Sequence, residues 1–277
     1  MNRRPWPLFL AVLAGCPAHL DVRNAQAPDA TALLAEVDAV DARVTGIQSQ
    51  AKAHIEGPGG KGNVTAFVAA AAPSSVHLEV LDFFGRPSGI LVSDGARFAL
   101  FRSEPGVWLQ GRATAENVGR LIPVELPPED LVSMLLGRAP RLTDAHPQLA
   151  VDAEANAFRI TLREGQRSQE LWVDPDRKRV VRSRLSGPGG YELAFDEFED
   201  IRDVPFPRKL SFTGTASVIL RYTDPRLNDT PAPSLFNATP PPGAPVEQVG
   251  ALGASEHPDE FSAKLSTSTD PSPCPLR

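Results

Sequence analysis

The sequence predicts an α+β fold, with helices set on one side of a large, curved antiparallel sheet. Three observations predict it. About twelve short segments alternate apolar and polar residues between Gly, Pro or Asp punctuation. Their connections, Asp94-Gly95 and Pro105-Gly106 among them, are too short for crossovers, so successive strands should pair as an antiparallel meander. Helical spacing occurs before the first strands and again between two runs of strands, which sets the helices apart from the sheet.

At the amino end Arg3 and Arg4 precede an apolar run, Trp6 to Leu13, that closes on Leu13-Ala14-Gly15-Cys16. A basic start, a short apolar run and small residues before the cut are the order of a signal peptide, which assigns residues 1–15 to export. The run is far shorter than the roughly 20 residues a spanning helix needs, and no later stretch comes close. The residues ending in Cys16 resemble the bacterial lipobox, which implies lipidation of Cys16 and attachment to a membrane through acyl chains. Pro17 stands where inner-membrane lipoproteins of enteric bacteria carry Asp, which favours the outer membrane, on its periplasmic side.

Residues 16–28 are polar and patternless and read as a tether. A helix follows, capped by Asp29 or Thr31, with Leu33, Leu34, Val37, Val40 and Val44 along one face. Strands are expected over Ile47–Ile55, Asn63–Ala72, Val76–Phe83, Ser88–Ser93, Arg97–Arg102 and Val107–Gln110. Thr114 can cap a helical stretch from Ala115 to Leu121, and Pro127 and Pro128 open another through Leu131, Val132, Leu135 and Leu136 that Gly137 ends. Strand signals resume at Phe158–Arg163, Gln169–Val173, Val180–Leu185, Tyr191–Phe198, Lys209–Thr213 and Ser217–Tyr222. The folded domain is therefore read as residues 29–228. Residues 229–277 are rich in Pro, Ser, Thr, Gly and Ala and are expected to be disordered, with Leu235 and Phe236 as candidates for local docking.

Composition narrows the function. The formal net charge of −6 comes with Lys and Arg scattered among Asp and Glu, which argues against a nucleic-acid partner. With Cys16 consumed by lipid, Cys274 has no intramolecular partner. His19, His54, His77, His146 and His257 are far apart and form no paired metal motif, and no nucleophile elbow, phosphate-binding loop or dinucleotide fingerprint is present. No catalytic residue, metal or cofactor is assigned, and no enzyme activity is expected. His77 alternates with Val76, Leu78 and Val80 and reads as an outward or hydrogen-bonded side chain. The acidic run Asp196, Glu197, Glu199, Asp200 is interleaved with Phe195, Phe198 and Ile201, which favours a solvated strand end over a calcium loop.

The strands carry more apolar residues than a one-sided sheet needs: Val80, Leu81, Phe83 and Phe84 before Gly85, then Phe98, Leu100 and Phe101. Two arrangements account for this. A sheet curling around its apolar face under a helical lid encloses a greasy pocket, and a filled core uses the same residues for packing. Periodicity alone leaves both open.

The order of elements over Leu33 to Asn228 resembles the lipoprotein-localisation proteins LolA and LolB, and LolB more closely because it too is a lipoprotein. The resemblance is carried by Leu78-Glu79-Val80-Leu81-Asp82-Phe83-Phe84-Gly85, by Ile90-Leu91-Val92 and Asp94-Gly95, and by Ile122-Pro123-Val124-Glu125-Leu126-Pro127 leading to Leu131 through Gly137. Pro205-Phe206-Pro207-Arg208-Lys209-Leu210 closes it. It implies an incomplete antiparallel barrel with a helical lid, acting as a monomer, whose cavity receives acyl chains of lipoproteins or lipids from a periplasmic LolA-like carrier. Candidate lining residues are Phe67, Val76, Leu78, Val80, Ile90, Phe98, Leu100, Leu121, Leu131 and Leu135. In LolB an apolar residue on a protruding loop places lipoprotein into the membrane; the matching position here is Phe83 or Phe84, with Phe84 preferred. The long Pro-rich tail and the aromatic loop residues depart from the family.

Overall fold

The computed structural model describes residues 21–249, apart from 24, 59, 121–123, 145, 230, 238 and 241. The expected signal peptide, Cys16, Cys274 and Leu121 lie outside the described residues.

The chain opens with α1 (Ala30–Asp41), whose Asp29 carboxylate accepts a hydrogen bond from the Ala32 N–H at 3.0 Å and so satisfies one of the free donors of the first turn. Leu33 and Val37 bury its apolar face. Six strands follow: β1 (Gly46–Gly57), β2 (Gly60–Ala71), β3 (Ser75–Leu81), β4 (Pro87–Ser93), β5 (Arg97–Arg102) and β6 (Val107–Arg112). Then come α2 (Ala115–Val118), capped by Thr114, and α3 (Pro128–Leu135), which opens on a proline with no N–H to lose. The second run is β7 (Gln148–Asp152), β8 (Ala157–Glu164), β9 (Arg167–Asp174), β10 (Arg179–Ser186), β11 (Tyr191–Ile201), β12 (Val204–Thr213) and β13 (Ser217–Leu227). A 3-10 turn, Pro233–Phe236, and a final strand β14 (Val246–Val249) complete the described chain.

Among the described residues, the strands join one 14-stranded sheet, ordered β14-β6-β5-β4-β3-β2-β1-β13-β12-β11-β10-β9-β8-β7. Two meanders are thus fused where β1 pairs antiparallel with β13, Lys52 opposite Arg221 and His54 opposite Ile219. The sheet does not close, because β7 and β14 are its outermost strands. It is the large curved, incomplete barrel that the resemblance implied.

Three elements differ from expectation. β7 escapes a periodicity reading because its alternation rests on Leu149 and Val151 alone, and both remain partly accessible. β12 begins at Val204 instead of Lys209, since Pro205 and Pro207 argue against a strand by sequence but are accommodated opposite Asp200 and Phe198 of β11. The described part of the tail, as far as Val249, was expected to lack regular structure and instead returns to the sheet. Its 3-10 turn sits against β3 and β4, where the Leu235 carbonyl lies 2.9 Å from His77 Nδ1, and β14 adds in parallel to β6.

Backbone pairing with β6 holds β14, helped by the partly buried Val249, and Gly111 lets it approach. A Cβ at that position would stand 2.4 Å from the Val249 carbonyl oxygen. Gly111→Val is therefore expected to release β14 and expose the segment around Val246–Val249 to proteolysis, while the unfolding midpoint moves by no more than about 2 °C. Limited proteolysis followed by mass spectrometry checks this.

The hairpin turns fall at two ends of the sheet. The β1–β2, β3–β4, β5–β6, β8–β9, β10–β11 and β12–β13 turns share one end, hereafter the open end. The other end carries the β2–β3, β7–β8 and β9–β10 turns.

Candidate functional site

Strand alternation sends Val76, Leu78 and Val80 of β3 and Phe98 and Leu100 of β5 to one face, where Leu91 of β4 lies between Leu78 and Leu100. The helix α3 covers this concave face, packing on β2 and β3 with Leu131, Val132, Met134 and Leu135 buried. Val76, Leu78, Val80, Phe98, Leu100, Leu131 and Leu135 therefore come together in a single apolar cluster, joined by Phe195, Phe206 and Leu210 from the second meander.

Phe67 and Ile90 do not join them. They face the opposite side of the sheet, on either side of Glu79, and Phe67 meets the His77 ring edge-on at 5.8 Å. The expectation that they line the interior is corrected for a steric reason. α3 approaches β2 closely, so the small Ala66 and Ala70 point inward with Val68, and the larger Phe67 is turned out. In Ile90-Leu91-Val92 both faces are apolar, and only the register of Leu91 with Leu78 decides the sense.

The concave face is filled where α3 covers it. Val76, Leu91, Leu100 and Leu131 are 0% exposed, so no water-sized space reaches them. Open volume lies at the open end, as a cleft of about 1320 Å³ bordered by Ala53, Val64, Val80, Leu81 and Phe83 together with Lys52, Arg102 and Arg221. The structure thus answers the question that periodicity left open with a packed interior and a cleft at its mouth.

α3 runs from that mouth to the closed end, where polar contacts fasten it. Gly137, just beyond the helix, has φ +74° and no room for a side chain, since a Cβ would stand 2.8 Å from both Arg179 Nη2 and the Pro207 ring. Its carbonyl accepts a hydrogen bond from Arg179 at 2.8 Å, and the Tyr222 hydroxyl donates to the Leu135 carbonyl at 2.9 Å. Arg179 is fully buried and lies 3.0 Å from Asp41, the last residue of α1. Burial pushes the Asp41 carboxyl above its ordinary pKa and the Arg179 guanidinium below its own, and the attraction between the two opposes both shifts. Arg138 donates to the Val44 carbonyl and Arg141 pairs with Asp38, so α1, the end of α3 and β10 form one latch. Near the mouth, burial and the nearby Asp130 of α3 push the Tyr191 hydroxyl up to about 12.

The β3–β4 turn is built to hold two phenylalanines in solvent. Phe83 is 98% and Phe84 77% exposed. Asp82 organises the turn: its carboxylate accepts from the Phe84 and Arg86 N–H groups at 2.8 Å and pairs with the Arg86 guanidinium at 2.9 Å. Hydrogen bonding from Arg86 holds the Asp82 carboxyl below the usual range. Arg86 in turn stacks 5.3 Å from the Phe84 ring centre. The loop stands at the lip of the cleft, which Phe83 borders.

The remaining polar candidates are accounted for structurally. His77 faces outward and meets the tail. Asp196, Glu197 and Glu199 pair with Lys209 of β12, Arg221 of β13 and Arg208 of β12. Among the described residues, no cluster of three or more His, Cys, Asp or Glu is placed to hold a metal ion. No helix among them is long and apolar enough to cross a membrane.

No family model matches the sequence, and no curated protein matches it significantly. Solved structures do resemble it. A domain described as that of an outer membrane lipoprotein-sorting protein, from Vibrio parahaemolyticus, aligns over 74% of this chain and 95% of its own at 12% identity, with a TM-score of 0.52. A DUF1329 family protein from Desulfovibrio piger aligns over the same shares at 12% identity and a TM-score of 0.51. A LolA superfamily protein from Nitrosomonas europaea covers 76% of this chain and 99% of its own at 14% identity, with a TM-score of 0.48. The first two alignments show that this chain has the fold of the lipoprotein-sorting domain, a curved and incomplete antiparallel barrel.

Proposed function

We propose that the protein is a lipid-anchored envelope protein that takes acyl chains of lipoproteins or lipids between α3 and the concave face and helps insert them into the outer membrane. The observation that carries this reading is Phe83, fully exposed on an organised turn at the lip of a cleft that shares Ala53 and Val80 with the apolar cluster. Such a residue gains free energy only by leaving water, in a bilayer or against an incoming chain.

The packed interior sets the mechanism. An acyl chain enters at the cleft and lifts the mouth-side end of α3, while the latch at Gly137 and Arg179 holds the other end. Contacts of Leu131 and Leu135 with the sheet are exchanged for contacts with the chain, so little apolar area is lost and modest differences tip the transfer. No covalent step is involved. The chains would arrive from a periplasmic LolA-like carrier, with Cys16 supplying the anchor.

A second reading has one observation in its favour. Complete burial of Leu91, Leu100 and Leu131 suits a structural envelope protein that displays its Pro-rich tail. The tail as far as Val249, however, is drawn back onto the sheet. Protein beginning at Pro17, which keeps every element from α1 to β14, separates the two readings. It is expected to take up a fluorescent fatty acid saturably, near one chain per protein, with faster exchange at α3 amides than elsewhere. Failure to bind any acyl probe would leave the structural reading.

A further inference from the structure

The outer face of the sheet holds a second hollow, beside the β4–β5 turn and at the other end of the strands from Phe83. On β5, Phe98 and Leu100 turn inward, so Arg97 and Ala99 face out, and β6 sets Arg112 opposite Arg97 and Gln110 opposite Ala99. The tail walls this space. Phe236 and Asn237 of the 3-10 turn border it, and β14 places Gln248 beside Gln110. The hollow measures about 570 Å³, the size of a small-molecule site.

Two like charges directly opposite on a ladder repel, so this pair costs stability unless an anion lies between them. Among the described residues, neither guanidinium forms an ion pair or a hydrogen bond. Asp94, the acid that borders the hollow, spends Oδ1 on the Ala96 and Arg97 N–H groups at 2.9 and 2.8 Å and so shapes the turn. Gln110 Oε1 accepts from the Trp108 indole N–H at 3.2 Å, which leaves the Gln110 amide nitrogen to donate. Donors thus surround a space whose floor, at Ala99, carries only a methyl group. A phosphate suits them, with nearly two negative charges and three strong acceptor oxygens to span both arginines. A bare ion would leave most of the volume unfilled, which favours a phosphate carried on a larger polar group.

We infer that Arg97 and Arg112 form a binding site for a phosphate monoester, completed by the returning tail. It does not depend on the acyl-binding reading above. Because the tail supplies one wall, occupation of the site and docking of the tail favour each other.

Calorimetric titration of protein beginning at Pro17 with glycerol 3-phosphate tests it, with glycerol as the neutral control. Saturable binding of the phosphate, and none of glycerol, is expected. Arg97→Gln and Arg112→Gln should each weaken it at least about ten-fold, the loss expected for hydrogen bonds to a charged group. Lys61→Gln removes the same charge from the far end of the sheet and should change it less than about two-fold. Without ligand, both arginine variants should unfold no earlier than the wild type, since each relieves a repulsion. Earlier unfolding in both would make the arginines structural and overturn the site. A chain ending at Asp229 should lose binding as the arginine variants do, and unchanged affinity there would strike the tail from the site. Glycerol 3-phosphate should also slow proteolysis around Val246–Val249. Flotation with phosphatidylcholine vesicles, with and without phosphatidic acid, separates two sources of the phosphate. Weaker binding of Arg97→Gln to the phosphatidic acid vesicles alone assigns a lipid head group, and equal vesicle binding beside intact glycerol 3-phosphate binding assigns a soluble phosphate. If neither probe distinguishes the arginine variants from Lys61→Gln, the phosphate site is overturned.

Discussion

Replacing Asp41 by alanine is expected to destabilise the domain by about 3–5 kcal/mol, the cost of stripping a buried charge of its partner. Arg179 is 0% exposed and holds two things at once, the Asp41 carboxylate on α1 and the Gly137 carbonyl after α3. Without Asp41 its guanidinium keeps one neutral acceptor and no counter-charge within the packed end of the barrel. For a domain of this size the unfolding midpoint should fall by roughly 10 °C. The pair itself contributes little net stability, because taking both ions out of water costs about what their attraction returns. Asp41→Leu combined with Arg179→Met should therefore recover most of the loss, and a double-mutant cycle by thermal denaturation measures it. A drop below about 3 °C for Asp41→Ala would show that the latch does not hold α1 to the lid.

The second large effect concerns the membrane. Phe83→Glu with Phe84→Glu should leave the unfolding midpoint within about 2 °C of the wild type, since neither side chain contributes to the core. Insertion of both rings into lipid is worth roughly 3–6 kcal/mol at about 1.5–3 kcal/mol per phenylalanine. Binding of the protein beginning at Pro17 to liposomes should accordingly fall at least 100-fold in a sedimentation assay. Uptake of a fluorescent fatty acid in the absence of membrane should change little. Unchanged liposome binding would remove the loop from any role at a bilayer. Reduced fatty-acid uptake would instead make the loop part of the acyl site.

Much of the fold was legible because it is built from local signals. Every strand whose apolar residues alternate over five or more positions was found, as were the caps at Asp29 and Thr114 and the stop at Gly137. What escaped depends on contacts distant in sequence. β14 exists through its pairing with β6, and four residues after a proline-rich stretch carry no signal for that. The inward sense of β2 follows from the approach of α3, which no property of Phe67 itself announces. The loop phenylalanines were found through the resemblance, which carries a protruding apolar loop onto Phe83-Phe84-Gly85, whereas periodicity alone ended a strand at Phe83. Lys52, Arg102 and Arg221, which border the cleft, were not singled out because they lie on β1, β5 and β13, strands distant in sequence that only the folded sheet orders. One signal was available: the period-two series Phe98, Leu100, Arg102 ends in a charge on an otherwise greasy face.

Val22 donates its N–H to Asn156 Oδ1 at 3.0 Å, and Arg23 reaches the Ala153 carbonyl at 3.3 Å, so the chain enters the domain at the β7–β8 turn. That turn and the Phe83-Phe84 turn stand at opposite ends of strands up to twelve residues long, about 40 Å at 3.3 Å per residue. The leash from Cys16 to Val22 is roughly 20 Å when pulled straight. If Cys16 carries the proposed lipid, a molecule standing upright on that anchor would hold its two phenylalanines beyond the reach of the membrane beneath it. For anchor and aromatics to share one bilayer with Val22 in place, the barrel must recline, its strands running along the lipid surface.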